Sequence, residues 1–215
     1  AWFRQRRAPV PLRTFVRTHY VTRPSQLRNL LRSAPMRALF RVALVVVSVL
    51  VMFACSRGAR PDGGTGLLPI GSVVPDLVAE DQNGATYRLA DDRGRFVVVF
   101  FYPKDSTPGC TKEACAFRDA WHEFERANVR VVGVSSDDRE SHAKFAKEHE
   151  LPFSLLVEKD GEWGKSFGVK SKLGFYERVS FLIGPDGKVA KVYPNVDPAV
   201  HAEEVLADVK KLRGE

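Results

Sequence analysis

Two apolar runs dominate the middle of the chain. Arg95-Phe-Val-Val-Val-Phe-Phe-Tyr102 and Val129-Arg-Val-Val-Gly-Val-Ser135 are near-continuous, β-branched and aromatic, as strands buried on both faces are. After the first run, beyond Pro108 and Gly109, the period changes. Ala114, Phe117, Trp121 and Phe124 fall at helical spacing on one face and predict a single helix to about Ala127. Upstream, Asp76 to Leu89 reads as a hairpin turning at Asn83-Gly84. Downstream, Asp137-Asp-Arg-Glu140 has the form of a capping box and predicts a helix to about Glu150. Phe153 to Val157 follows as a short strand and Trp163 to Val169 as one or two helical turns. Arg178–Ile183 and Lys188–Tyr193 flank the turn Gly184-Pro-Asp-Gly187 and predict a second hairpin. Asp197-Pro198 supplies an N-cap and a proline at N1 for a last helix, with Ala202, Val205, Leu206 and Val209 on one face. There is no internal repeat. Two βαβ-like units followed by a hairpin and a helix predict an α/β domain, a mixed central sheet with helices on both faces. It runs over residues 68–215.

The first 67 residues follow other rules. Residues 1–60 contain twelve Arg and no Lys, Asp or Glu, so this segment carries +12 while the rest of the chain carries −5 of the total +7. The basic character therefore belongs to the front of the chain, and the globular part is not read as a nucleic-acid binder. Residues 1–35, Arg-rich with four scattered prolines and no periodicity, predict a disordered extension, with Met36 as an alternative start. Residues 36–55 place Arg37 and Arg41 ahead of an apolar stretch, Val42 to Ala54, that suits a secretory signal and is shorter than the roughly 20 residues that span a bilayer. This segment resembles a bacterial lipoprotein signal, which makes Cys55 the candidate for lipidation, although Met52 and Phe53 stand where branched and small residues are usual. An uncleaved anchor is the alternative. Residues 56–67, rich in Gly, form a flexible tether. Together these features predict an envelope protein tethered to the membrane and facing the periplasm or exterior, with a cytoplasmic location as the alternative.

Three cysteines, Cys55, Cys110 and Cys115, are too few for a disulfide framework and lack zinc spacing. Cys110 sits just past a strand end at a helix N-terminus, where backbone N–H groups and the helix dipole favour a thiolate. Cys115 lies five residues on, which in an intact helix means a rise of about 7.5 Å, a rotation of about 500° and a Cα separation of about 9 Å. A disulfide needs roughly 4.4–6.8 Å. The two can therefore bond only if the first helical turn unwinds, after oxidation of Cys110 to a sulfenic acid.

Pro103, Thr107 and Cys110 form the pattern Pro-x-x-x-Thr-x-x-Cys, and the string Thr107-Pro-Gly-Cys-Thr-Lys-Glu-Ala-Cys-Ala-Phe-Arg-Asp119 extends it. From about Pro69 to Leu212 the chain resembles the peroxiredoxins, and among them the peroxiredoxin Q group, also called bacterioferritin comigratory protein. The resemblance implies a thioredoxin-like fold, often monomeric, that reduces hydrogen peroxide and organic hydroperoxides and is recycled by a thioredoxin-like donor. It makes Cys110 the peroxidatic nucleophile and Cys115 the resolving cysteine. It has Thr107 hydrogen-bond the thiolate or peroxide, Pro103 shield the sulfur and Arg178 point into the pocket. The amides of Gly109 and Cys110 add donors, and Glu113 takes a minor ordering part. A guanidinium suits these roles, being permanently charged with several donors that can meet negative charge on a leaving oxygen. The scheme requires no metal, flavin or nucleotide.

The competing reading is an extracytoplasmic thiol reductase or copper-delivery module on the same fold. A reductase is expected to carry Cys-x-x-Cys, which is absent here, and Thr107 and Arg178 suit a peroxide better than a soft metal. His122, His149, Trp121 and Trp163 read as helix-surface and core residues.

Overall fold

The computed structural model describes residues 60, 62 and 64–215. The expected disordered extension, the signal segment, Cys55 and most of the tether lie outside these residues. Nine strands form among the described residues: β1 Val78–Asp81, β2 Thr86–Arg88, β3 Phe96–Phe101, β4 Val129–Ser135, β5 Ser154–Val157, β6 Ser171–Lys172, β7 Phe175–Tyr176, β8 Val179–Ile183 and β9 Val189–Tyr193. The α-helices are α1 Pro108–Asp119, α2 Trp121–Arg126, α3 Arg139–Glu148, α4 Glu162–Phe167 and α5 His201–Arg213. The main sheet has the order β2-β1-β5-β4-β3-β8-β9. Its centre, β3-β4-β5, is parallel, and β1, β2, β8 and β9 are antiparallel to their neighbours. This is the predicted mixed sheet.

β3 shows why the sheet is central. All six of its residues are buried, and they alternate between two cores. Phe96, Val98 and Phe100 enter a core shared with α1, α2, α3 and α5, while Val97, Val99 and Phe101 enter one shared with α4. Helix α1 is fixed to the first core by Phe117, whose ring stacks on Phe100 at 4.9 Å between centroids. His201 of α5 meets Phe117 edge-on at 5.5 Å, and burial pushes its pKa down to about 4, so a neutral ring packs there.

Both predicted hairpins are present. At the first, Gly84 has φ +78° and the Asp81 carboxylate accepts from the amides of Asn83 and Ala85. Three helix boundaries differ from expectation. The single helix to Ala127 is two, broken at Ala120 (φ −88°, ψ 5°). Periodicity does not register the break because Phe117 and Phe124 stay in one core on either side of it, 5.5 Å apart. The cap of α3 is Asp138, which accepts from the Ser141 amide, because Asp137 is taken by the Asp105 amide and the Ser135 hydroxyl. Asp197 accepts from Ala199 N within a separate turn, and α5 starts only at His201. The sequence reading also lacked the β6–β7 hairpin, which turns at Leu173 and Gly174, both at positive φ.

Gly133 is where two neighbouring strands press closest on β4. A Cβ there would lie 2.7 Å from Phe100 Cζ and 2.8 Å from Leu155 Cδ2. Gly133→Ala is expected to cost about 1–3 kcal/mol through overpacking, seen as a lower urea midpoint with unchanged slope.

Candidate active site

β3 and β8 are antiparallel neighbours with Phe101 opposite Val179. The loop leaving the end of β3 and the residue entering β8 are therefore side by side. The loop runs from Tyr102 to Thr107 and delivers Cys110 in the first turn of α1; the residue entering β8 is Arg178. Arg178 Nη2 donates to Cys110 Sγ at 3.2 Å, and Nη1 donates to Glu113 Oε2. Cys110 and Glu113 are buried, and Arg178 is 19% exposed along its side chain. A Cβ on Gly109 would approach Arg178 Nη2 to 3.2 Å, so the guanidinium lies against a position that has no side chain.

The helix start contributes as expected. Thr107 is the N-cap, extended at φ −85° and ψ 148°, and Pro108 follows at N1. The first i→i−4 bond is Thr111 N to Thr107 O at 2.8 Å. The amides of Gly109 and Cys110 therefore have no intrahelical acceptor. The Thr107 hydroxyl donates to the Lys104 carbonyl at 2.9 Å, closing the loop on itself, and its oxygen keeps lone pairs for a further donor. Pro103 is half-buried immediately after Tyr102.

Cys110, Arg178 and Gly109 are thus brought together. Cys115 is not with them: it is half-buried further along the unbroken helix, and both thiols are free. Glu113 has a larger part than its sequence context suggested. Burial pushes its carboxyl up to about 7, against the pull of the Arg178 charge and hydrogen bond. The Arg178 guanidinium is disfavoured by its own burial, but the Glu113 and Cys110 charges outweigh this and raise its pKa. Glu113 Oε1 is buried without a hydrogen-bond partner. Glu113 shares helical spacing with Cys110, Ala114 and Phe117, which places it on the buried face, but its partner Arg178 lies 65 residues away and no local pattern shows the pairing.

A second polar cluster, Tyr102, Asp105 and His142, was missed altogether. The Tyr102 hydroxyl donates to Asp105 Oδ1 at 2.8 Å, and His142 Nδ1 lies 2.8 Å from Asp105 Oδ2. Burial, reinforced by the Asp105 carboxylate, pushes the Tyr102 phenol well above its ordinary value, which keeps it a donor. The available signal was an aspartate directly after a buried strand and a histidine at the inward position of an amphipathic helix; the partnership itself spans 37 residues.

The chain matches the AhpC/TSA family over residues 70–192. It is 40% identical over 152 residues to peroxiredoxin Bcp of Bacillus subtilis, covering 67% of this chain and 97% of that one. It is 42% identical over 146 residues to the chloroplastic peroxiredoxin Q of Sedum lineare, covering 66% and 78%. Among solved structures it resembles the bacterioferritin comigratory protein of Xanthomonas campestris, whose structures address alkyl peroxide reduction activity. The TM-score there is 0.62 and the identity 33%, with 68% of this chain and 98% of that one covered.

The raised Glu113 carboxyl has a defined consequence for stability. The folded state holds this proton more tightly than the unfolded state, whose carboxyl titrates near 4.5. Its contribution to stability is therefore complete below pH 4.5 and lost as pH rises through about 7. Glu113→Gln removes that titration. Wild-type stability relative to the variant is expected to fall between pH 4.5 and pH 7.5, as measured by denaturant midpoints at the two values.

Proposed function

Because the chain belongs to the AhpC/TSA family, and within it to the peroxiredoxin Q/Bcp group, it is a thiol-dependent peroxidase, and we propose that Cys110 and Cys115 carry its cycle through an intramolecular disulfide. The observation that carries the assignment of roles is the Arg178 guanidinium bonded at once to the Cys110 sulfur and the Glu113 carboxylate. It presents a nucleophile and a fixed positive charge to one small volume beside two helix-start amides.

In the first step the Cys110 thiolate attacks a peroxide oxygen. The S–O bond forms as the O–O bond breaks, sulfur is oxidised to the sulfenic acid, and the leaving oxygen takes a proton to become water or an alcohol. Arg178 and the amides of Gly109 and Cys110 meet the charge that develops on that oxygen. The lone pairs of Thr107 Oγ1 accept from the peroxide O–H, and Pro103 walls the sulfur from water. In the second step the first turn of α1 unwinds, Cys115 attacks the sulfenyl sulfur, the S–S bond forms and hydroxide leaves as water. A thioredoxin-like dithiol then reduces the disulfide by two exchange steps and is itself oxidised. Hydrogen peroxide and alkyl hydroperoxides are the substrates of this reading, the latter supported by the activity addressed in the Xanthomonas campestris relative. A guanidinium on the sulfur suits an anion and opposes a metal cation, which sets the copper-delivery reading aside. The basic residues, apolar stretch and Cys55 of residues 36–55 support a placement at the cell envelope, with the catalytic domain on a Gly-rich tether.

Cys55→Ser full-length protein retains only Cys110 and Cys115. With about one equivalent of hydrogen peroxide it is expected to lose both thiols and two hydrogens of mass, and to yield a peptide joining Cys110 to Cys115. A single added oxygen on Cys110 with Cys115 still free would move resolution to an external thiol, and thiols that ignore peroxide would overturn the peroxidatic role of Cys110. Arg178→Met is expected to slow the peroxide step by about 10²–10³-fold, read by stopped-flow. For location, the wild-type protein is expected in the membrane fraction of a bacterial host, and an intact chain bearing residues 1–60 in the soluble cytosol would overturn the envelope placement.

A further inference from the structure

The loop that delivers Cys110 is tied down at one residue. Asp105 makes contacts to three separate elements. Its Oδ1 accepts from the Tyr102 hydroxyl at the end of β3. Its Oδ2 accepts from the Ser141 hydroxyl and faces His142 Nδ1, both at 2.8 Å and both on α3. Its amide donates to Asp137 Oδ2 at 2.8 Å, just beyond β4. The His142 ring then reaches a fourth element, with Nε2 3.2 Å from the Leu156 carbonyl of β5. Both ring nitrogens therefore have partners, Nδ1 with Asp105 and the Tyr102 hydroxyl 3.3 Å away, and Nε2 with the Leu156 carbonyl. Asp105 and His142 are buried, at 2% and 0% side-chain exposure. Removing one member would leave buried polar atoms of the other without their partner.

The chain changes character immediately after this anchor. Ser106 has φ +55°, an uncommon left-handed position for a residue with a side chain, and is exposed. Thr107 is extended, and Pro108 opens α1 without an amide proton to donate. A firmly held residue is therefore followed by a pivot and then by the turn that must unwind.

We propose that Asp105 and His142 are positioning residues for the Cys110 chemistry. They fix the upstream end of the loop so that Cys110 meets Arg178 in the folded state, and they stop the unwinding of α1 from spreading back into β3. This deepens the peroxidase reading and rests on it. The pair touches neither sulfur nor substrate; it acts through the loop. Two steps of the cycle are then affected in opposite ways. Loosening the anchor misplaces Cys110 for attack on peroxide, and it eases the rearrangement by which Cys115 reaches the sulfenic acid.

The test uses the full-length chain with Cys55→Ser and compares Asp105→Asn, His142→Gln and the double variant. Val189→Ala, on β9 in the opposite core, serves as a control for stability loss alone. Stopped-flow separates oxidation of Cys110 from the following disulfide formation. Hydrogen exchange reports the amides of residues 103–112. Oxidation is expected to slow by about 10²-fold, with disulfide formation faster. Exchange is expected to rise at 103–112 and not in β4 or β5, and the double variant to be no slower than the worse single one. Both steps unchanged relative to Val189→Ala at matched loss of Tm, or exchange rising throughout the domain, would overturn the proposal. Should these variants not fold, Ser141→Ala removes one donor to Asp105 and is expected to give the same pattern at smaller size; no change in either step would again overturn it. Wild-type thiols that ignore peroxide would defeat the peroxidase reading alone, since the exchange measurement still judges the anchor.

Discussion

A buried carboxylate and a buried thiol share one guanidinium, and the position of α1 on the sheet depends on that sharing. Glu113 has no exposure, so its charge is tolerable only with Arg178 against it. Arg178 enters β8, and Glu113 lies one turn beyond Cys110, so their ion pair fastens the start of the helix to the edge of the parallel core. Hydrophobic packing alone would hold α1 through Ala114 and Phe117 while leaving its rotation about that contact loosely set. The pair adds a directional restraint at the end where the sulfur lies. Burial works against it by raising the Glu113 carboxyl, and the second carboxylate oxygen has no partner. The site is therefore held by an interaction strong enough to orient the helix and not fully satisfied in its folded form.

That balance matches what the proposed cycle asks of the helix. Beyond Ala114 the helix is anchored by Phe117 between Phe100 and Phe124. Before it, the first turn contributes few backbone bonds: Pro108 has no amide proton, and Gly109 and Cys110 have no acceptor within the helix. A local opening confined to this turn breaks little of the core, while one reaching Phe117 would expose three packed aromatic rings. Low local stability is thereby placed next to the reactive sulfur and excluded from the rest of the domain.

The elements that sequence made legible are those whose information is local. β3 and β4 announce themselves as apolar runs, Asn83-Gly84 and Gly184-Pro-Asp-Gly187 as turns, and the strand–Pro–Gly–Cys passage as a thiol at a helix start. Boundaries were harder where a distant group decides between equivalent neighbours. Asp137 and Asp138 are equally good caps for α3 until the Asp105 amide, 32 residues away, claims the first. Ala120 interrupts a helix whose apolar rhythm continues across it. The weight of Glu113 and the whole Asp105–His142 contact follow from the sheet order, which brings the ends of β3, β4 and β5 together, and no sequence window contains that information. The family resemblance pointed to Arg178; only the fold explains why it is within reach.

The two margins of the seven-stranded sheet bear on how such a domain would withstand the partial opening in the proposed cycle. Strands β2 and β9 are outermost and carry backbone groups with no neighbouring strand on one side. β2 is only three residues long. The start of β9 is covered by residues 71–73, with Gly71 N bonded to Val189 O and Val189 N to Ser72 O, and the remainder presents Lys191 beside a register shift at Leu182 and Ile183. Short length, a covering segment, a lysine and an irregular register all discourage a second chain from adding to the sheet. Rims unsuited to self-association would keep the opening that the proposed cycle asks for from recruiting a second chain.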